Sequence, residues 1–254
     1  MMEITSNTYY DKVSSLYREI SKTRCNYLQA VDAIVTATVK RNKIKSWLDI
    51  GVGDGERISG LLGKVKAEDV VCLEPSAYMF QQASQSLEGK CIVIRKSLAT
   101  YSKDTDRRFS FVTALWNVIG HSVDPVSFLR DAYALLDNNG LLLIDANNRY
   151  NVRQYGFLPV MRNAILDYLG LSTKGVFKLK TNNEGVFTYV YIASPRELRK
   201  ACKVLNIEEI NINFVDYMTG EPAGYLTGQM VVRITKGGIY QQSCPPVMPC
   251  EATS

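Results

Sequence analysis

An α/β fold built on a seven-stranded, mostly parallel sheet with helices on both faces is what this sequence predicts, from three observations. Short apolar runs alternate with helical patterns of about ten residues from Ser46 onward, which is the rhythm of strands joined by crossover helices. The glycines Gly51, Gly53 and Gly55 fall between the first apolar run and the first such helix. Finally, 254 residues with 46% hydrophobic and 22% charged composition can bury a full core as one large domain.

Each element follows in chain order. Residues 8–40 read as helix, with Tyr10, Val13, Leu16, Tyr17 and Ile20 at spacings of three and four, continued by Tyr27, Val31 and Ile34. "WLDIG" is a strand, "ERISGLLGKV" a helix, "DVVCLE" a strand, and "SAYMFQQASQSL" a helix beginning after Pro75. "CIVIR" and "FSFVTALWNVIG" read as the third and fourth strands, "DPVSFLRDAYALL" as a helix and "GLLLIDA" as the fifth strand. The alternation breaks over 147–193, which holds a helix-like "PVMRNAILDYLG" and two segments, "GVFKLK" and "GVFTYVYIA", that read as a hairpin. It resumes at "SPRELRKACKVL", where Ser194 caps the helix, Pro195 takes its first turn and Glu197 completes a capping box. "IEEININFVDY" and "GQMVVRITK" pair antiparallel at the sheet edge, so the last strand is antiparallel. The resulting division is an N-terminal helical cap (1–45), a core (46–146), an insert (147–193) and completion of the sheet (194–236). Residues 237–254 combine prolines with few apolar anchors and are expected to be a flexible tail.

Composition limits the function classes. The 30 basic and 25 acidic residues are interspersed, giving a net charge of +5 without a basic stripe, so nucleic acid is not an expected partner. Six scattered cysteines without CxxC pairs, and a single histidine, argue against metal or disulfide frameworks and for a reduced, cytoplasmic setting. No apolar run reaches the roughly 18 residues of a membrane span, so no membrane partner is expected.

The glycine turn lies where an open parallel sheet binds its ligand, outside the carboxyl ends of the strands. Glycines there let a ligand approach the backbone. "GVGDGER" lacks the Lys of a nucleoside-triphosphate loop. The dinucleotide pattern G-x-G-x-x-G fails too, because Gly55 comes one position early and Asp54 would face a pyrophosphate at the helix N-terminus. A cationic nucleoside without phosphates remains.

With "LDIGVGDG", Glu74 in "VVCLEPS" and the block "FSFVTALWNVIGHSVDPVSFLRDAYALLDNNGLLLIDANN", the chain resembles the class I S-adenosylmethionine-dependent methyltransferases of small-molecule type from about Tyr9 to Lys236. The resemblance implies a Rossmann-like core, S-adenosylmethionine as cofactor with S-adenosylhomocysteine as product, no metal, and a small-molecule acceptor. It implies cofactor contacts from Asp49, Gly51, Gly53 and Gly55, from Glu74 to the ribose hydroxyls, and from Pro75 and Met79. Trp116 and Asn117, at the end of the fourth strand, face the methionine portion, and Asn117 is also a candidate for catalysis. Relatives often carry a carboxylate for adenine after the third strand; this chain reads "IRKSLATYS", which leaves Ser97 and Leu98. His121 is a candidate general base, although a lone histidine is more often structural. In the cap, Tyr17, Arg24 and Tyr27 are cofactor candidates and Tyr10 an acceptor candidate. The insert after the fifth strand resembles the family's acceptor lid, with Asn147, Asn148, Arg149 and Tyr150 at the sheet end and Phe177, Phe187, Tyr189 and Tyr191 on the hairpin. Asp216 and Glu221, in the loop between the last two strands, can reach the same pocket.

With one histidine and no metal constellation, an amine or activated carbon is favoured over a hydroxyl as acceptor atom. Two alternatives stand beside this reading: a nucleic-acid or protein methyltransferase, against which "LWNVIGH" lacks the Asn/Asp-Pro-Pro-aromatic signature, and a cofactor-binding module without turnover. The oligomeric expectation is a monomer or homodimer.

Overall fold

The computed structural model describes residues 2–3, 5, 8–9, 11, 23–122, 124–171, 175–180 and 186–237. The central sheet has seven strands: β1 (Ser46–Ile50), β2 (Asp69–Leu73), β3 (Ile92–Ile94), β4 (Phe109–Ala114), β5 (Leu136–Ala146), then, beyond the hairpin strands β6 (Val176–Lys180) and β7 (Val186–Tyr191), β8 (Glu209–Val215) and β9 (Gln229–Thr235). Their order across the sheet is β3-β2-β1-β4-β5-β9-β8. The chain winds outward from β1 to β3, then crosses back to β4, so the crevice between β1 and β4 is the switch point at which such sheets bind ligands. β9 is antiparallel to both β5 and β8, as the sequence predicts.

Side-chain alternation along the strands divides the core. On one face, Trp47, Cys72, Phe111, Leu141 and Leu143 pack against α1 (Cys25–Asn42), α2 (Glu56–Leu62) and α3 (Ala77–Ser86). On the other, Leu48, Val71, Val112, Leu142 and Ile144 pack against α4 (Leu98–Tyr101), α5 (Pro125–Ala134) and, after the insert helices α6 (Val152–Tyr155) and α7 (Phe157–Tyr168), α8 (Pro195–Val204). A period of two on strands buried on both sides gives each face its own apolar set. α1 is driven onto the sheet by Tyr27, Ala30, Val31, Val35 and Val39, one stripe at helical spacing.

Three sequence expectations change. The helix read over 8–40 is broken by a turn at Thr23–Arg24, and only its second part, α1, lies wholly within the described residues. The fourth strand stops at Ala114 rather than continuing to Gly120. Trp116 and Asn117 take positive φ angles of 66° and 55°, and Val118–His121 form a 3-10 turn. Short α4 follows the Ser97 cap, in a stretch where the sequence pattern predicts no element. The tail expected beyond Gly237 lies outside the described residues.

The insert has its own three-stranded sheet, in which β6 and β7 are antiparallel and Met2–Glu3 pairs in parallel with β7. It is tied to the core by a buried ionic cluster. Arg149 Nη2 lies 2.7 Å from Asp167 Oδ2 and 2.8 Å from Glu197 Oε2, and the Tyr150 hydroxyl donates to the same Asp167 oxygen at 2.5 Å. Glu197 also completes the capping box with Ser194, so one carboxylate both starts α8 and anchors the insert.

Candidate cofactor and acceptor site

The glycine turn sits at the β1/β4 crevice, and its backbone explains its composition. Gly51, Gly53 and Gly55 have φ of 73°, 64° and 80°, in the left-handed region that residues with a Cβ resist. At Gly51 space is short as well, since a Cβ would come within 2.7 Å of Val118 Cγ2.

Two buried carboxylates flank the turn. Glu74 accepts from Gly53 N and from Ser76 N, each at 2.9 Å, which holds its carboxyl against the turn at the end of β2. Burial pushes it up to about 7, against the pull of those two N–H groups. Asp49, at 4% exposure, accepts from the Thr113 hydroxyl, which itself accepts from Trp47 Nε1 at 2.7 Å. Burial raises Asp49 to about 7 as well, with Thr113 and Arg57 opposing.

Behind the turn lies a charged cluster that the sequence only partly foretells. Arg57, in the first turn of α2, donates Nε to Asp32 Oδ1 at 2.6 Å. Its two terminal nitrogens are buried without a hydrogen-bond partner among the described residues. Burial works against the Arg57 charge, but Asp32, Asp145 and Asp49 outweigh it and keep the guanidinium protonated. Asp145, at the end of β5, receives the Tyr27 hydroxyl at 3.2 Å and Asn117 N at 2.7 Å. Arg24 stacks on Tyr217, 3.5 Å from the ring centroid, and its Nη1 is likewise buried without a partner among the described residues. Tyr217 in turn meets Tyr27 edge-on at 5.0 Å. Arg24 and Tyr27 are sequence candidates; Arg57, Asp145 and Tyr217 emerge only from the structure. Arg57 carries a local signal, two residues after Gly55 on the helix leaving the turn. Asp145 and Tyr217 carry none, being joined to Tyr27 only through the fold.

On the other side of the turn is a cavity of about 1330 Å³. Gly51, Gly53, Glu74, Pro75, Met79, Ser97, Leu98, Trp116 and His121 all line it, bringing nine expected residues to one surface. Ser97 caps α4 by accepting from Thr100 N, and Leu98 and Met79 are buried apolar wall. Burial pushes the His121 imidazole down to about 4, so it is neutral at ordinary pH. Asn117 is placed differently from its expected position at a strand end. Its amide is spent on Asp145 and its side-chain oxygen accepts from Asn147 N at 3.0 Å, so it links the ends of β4 and β5.

The insert residues divide. Tyr189 and Tyr191 line the cavity, the latter with its hydroxyl on Glu197 Oε2 at 3.2 Å. Asn147, Arg149, Tyr150 and Phe187 do not line it. Arg149 and Tyr150 are committed to Asp167 and Glu197, and Phe187 packs edge-on against Tyr189 at 5.7 Å, with Lys178 Nζ over its ring. Asn148, at 0% exposure, holds the carbonyls of Tyr225 and Gly228, and Asp216 binds the amides of Met218 and Thr219. The physical reason is common to these polar residues: each satisfies buried backbone or a buried charge where the insert joins the sheet. Tyr10 and Tyr17 lie outside the described residues. Among the described residues no group of three or more His, Cys, Asp or Glu could hold a metal ion, and no helix is long and apolar enough to cross a membrane.

A family model described as a methyltransferase domain matches residues 48–142, which run from β1 into β5. No curated protein matches the sequence. Among solved structures, the fold is similar to a possible histamine N-methyltransferase of Thermotoga maritima (15% identity, TM-score 0.58, covering 89% of this chain and 97% of that one). It is similar also to an S-adenosylmethionine-dependent methyltransferase of Clostridium acetobutylicum (14%, 0.61, 90% and 99%). A third is the magnesium protoporphyrin IX methyltransferase of Synechocystis, determined with bound SAH (15%, 0.59, 91% and 98%).

Proposed function

We propose, for a chain whose residues 48–142 are a methyltransferase domain within a class I S-adenosylmethionine-dependent methyltransferase fold, that it methylates a small-molecule acceptor with S-adenosylmethionine as donor. The observation that carries this reading is the buried acidity of the glycine turn. Asp49 and Glu74, two buried carboxyls with Glu74 hydrogen-bonded to Gly53 N, flank the turn; in their ionised forms they repel a phosphate ligand and attract a cationic nucleoside.

The residues fit the donor piece by piece. Glu74, fixed by two backbone amides on the cavity wall, is the acceptor for ribose hydroxyls, and Met79 and Leu98 are the apolar wall for adenine. The partnerless terminal nitrogens of Arg57, with Arg24 beside Tyr217, lie behind the turn and outside the cavity lining, and would receive the carboxylate of an amino-acid end that reaches past the turn. When bound, the donor supplies an electrophilic methyl group that an acceptor displaces in line. The chain's contribution is then placement and exclusion of water, with Trp116 and the hairpin tyrosines Tyr189 and Tyr191 walling the cavity.

His121 bears on the acceptor atom. An imidazole whose conjugate acid sits at about 4 is a weak base at neutral pH, which supports an acceptor that attacks without losing a proton first, a neutral amine or an activated carbon, over a hydroxyl. The acceptor named for the protoporphyrin enzyme supports a small molecule as the class of acceptor, whatever its reacting atom.

The test is methyl-labelled donor incubated with the protein and separated small-molecule, RNA and protein fractions. Label in the small-molecule fraction, lost in Glu74→Ala, is the expected result. Label in RNA or protein only would replace the acceptor class, and no label in any fraction would contradict transfer.

A further inference from the structure

The cavity is larger than one nucleoside ligand needs. Drug-sized ligands occupy pockets of roughly 300–1,000 Å³, and this one measures about 1330 Å³. The surplus lies in one direction. Past Trp116 and His121 the lining passes to α5 (Val126, Phe128), to β7 (Val190) and to α8 (Leu198, Ala201), none of them among the residues that flank the glycine turn. Those five side chains form an apolar floor, with Phe128, Val190, Leu198 and Ala201 at 9% exposure or less.

At the mouth of this arm stand Val176, Tyr189 and Val204, all lining it and 48%, 47% and 65% exposed. Apolar side chains gathered on a rim are what a ligand-accepting groove shows, whereas single exposed ones are ordinary. The carboxylates in the same wall are occupied. Glu197 Oε2 takes Arg149, Tyr191 and Ser194, Asp124 caps α5 and holds the Ser127 hydroxyl, and Asp131 pairs with Arg130. Lys200 of α8 also lines the cavity but is exposed, so the buried floor itself carries no charge.

We propose that the arm between α5, β7 and α8 is a second ligand compartment, which takes the uncharged apolar body of the methyl acceptor, a fused-ring or hydrocarbon-rich molecule rather than an amino-acid-sized polar metabolite. This rests on the reading of the glycine turn as the donor site. The acceptor's body lies on Phe128, Leu198 and Ala201, and its reacting end turns toward Trp116 and His121, where the two compartments meet.

The experiment uses N-phenyl-1-naphthylamine, an uncharged apolar fluorophore, titrated into the full chain with and without saturating S-adenosylhomocysteine. The expected result is saturable fluorescence enhancement whose Kd changes less than threefold with S-adenosylhomocysteine present. Ala201→Trp fills the floor, and Val204→Asn, at the exposed last position of α8, makes the rim polar without setting a negative charge against the helix dipole. Each weakens the probe tenfold or more and leaves the S-adenosylhomocysteine Kd within threefold. Absence of probe binding, stoichiometric displacement of the probe by S-adenosylhomocysteine, or unchanged probe affinity in both variants overturns the compartment. Failure of S-adenosylhomocysteine to bind while the probe binds and both variants lose it overturns the donor reading and the acceptor assignment with it, but retains the compartment.

Discussion

Arg57 gives its Nε to Asp32 at 2.6 Å and keeps both terminal nitrogens buried without a partner among the described residues. A guanidinium fork left open beside three carboxylates is costly unless a ligand anion completes it. On the proposed reading, Arg57 distinguishes a donor with an amino-acid end from the same nucleoside without one. Wild type is expected to bind S-adenosylhomocysteine at least tenfold more tightly than methylthioadenosine, which lacks the carboxylate. Arg57→Met should remove most of that preference while leaving methylthioadenosine affinity within threefold. Equal loss for both ligands would assign Arg57 to structure alone.

Donor binding should be coupled to protons. Asp49 and Glu74 sit at about 7 in the folded protein, and a cationic ligand favours their ionised forms. Binding at pH 6.5 therefore releases protons, and affinity rises with pH until both groups are ionised. Calorimetry in two buffers of different ionisation enthalpy measures the release, and buffer-independent heats would contradict it.

The same shifts act on stability with a definite sign. A carboxyl raised in the folded state binds more protons there than in the unfolded chain between about pH 4 and 7, so stability falls as pH rises through that window. Glu74→Gln removes one such group. Relative to wild type, the ligand-free variant should gain on the order of 2 kcal/mol between pH 5 and pH 8, read from denaturant midpoints.

The ionic anchor of the insert makes a different prediction. Arg149 is 3% exposed and faces Asp167 and Glu197, so Arg149→Met leaves two carboxylates short of their partner. Breaking such a buried pair costs about 3–5 kcal/mol. A fall in Tm with S-adenosylhomocysteine affinity nearly unchanged is expected, and a selective loss of acceptor turnover at normal Tm would instead return Arg149 to the acceptor site.

Arg149 also marks where sequence reasoning ends. The capping box of Ser194 and Glu197, the Ser76 cap and the glycine turn are legible because each is a local backbone requirement met by residues a few positions apart. Polar residues following β5 look like a lid that meets ligand, because nothing in "NNRYN" reveals that its arginine and tyrosine are matched by an aspartate 18 and 17 positions away. The apolar run through Trp116 and Asn117 reads as strand, but Asp145, brought from β5, receives Asn117 N at the turn. The pairing of Tyr27 with Asp145 spans 118 positions and exists only once the sheet has formed.

Gly51 tests the turn itself. Its φ of 73°, and the 2.7 Å that would separate a Cβ at this position from Val118 Cγ2, make Gly51→Ala unfavourable twice over. A loss of about 1–3 kcal/mol in stability is expected together with a large loss of donor affinity, both measurable on one purified sample by thermal melts with and without ligand.

Whether the acidic glycine turn holds a cationic nucleoside is tested most directly by titration calorimetry with S-adenosylmethionine at pH 7.5. Saturable binding at one site per chain, weakened tenfold or more in Glu74→Ala, is the predicted result. Absence of saturable binding to the folded wild-type protein, or equal affinity in Glu74→Ala, would contradict it.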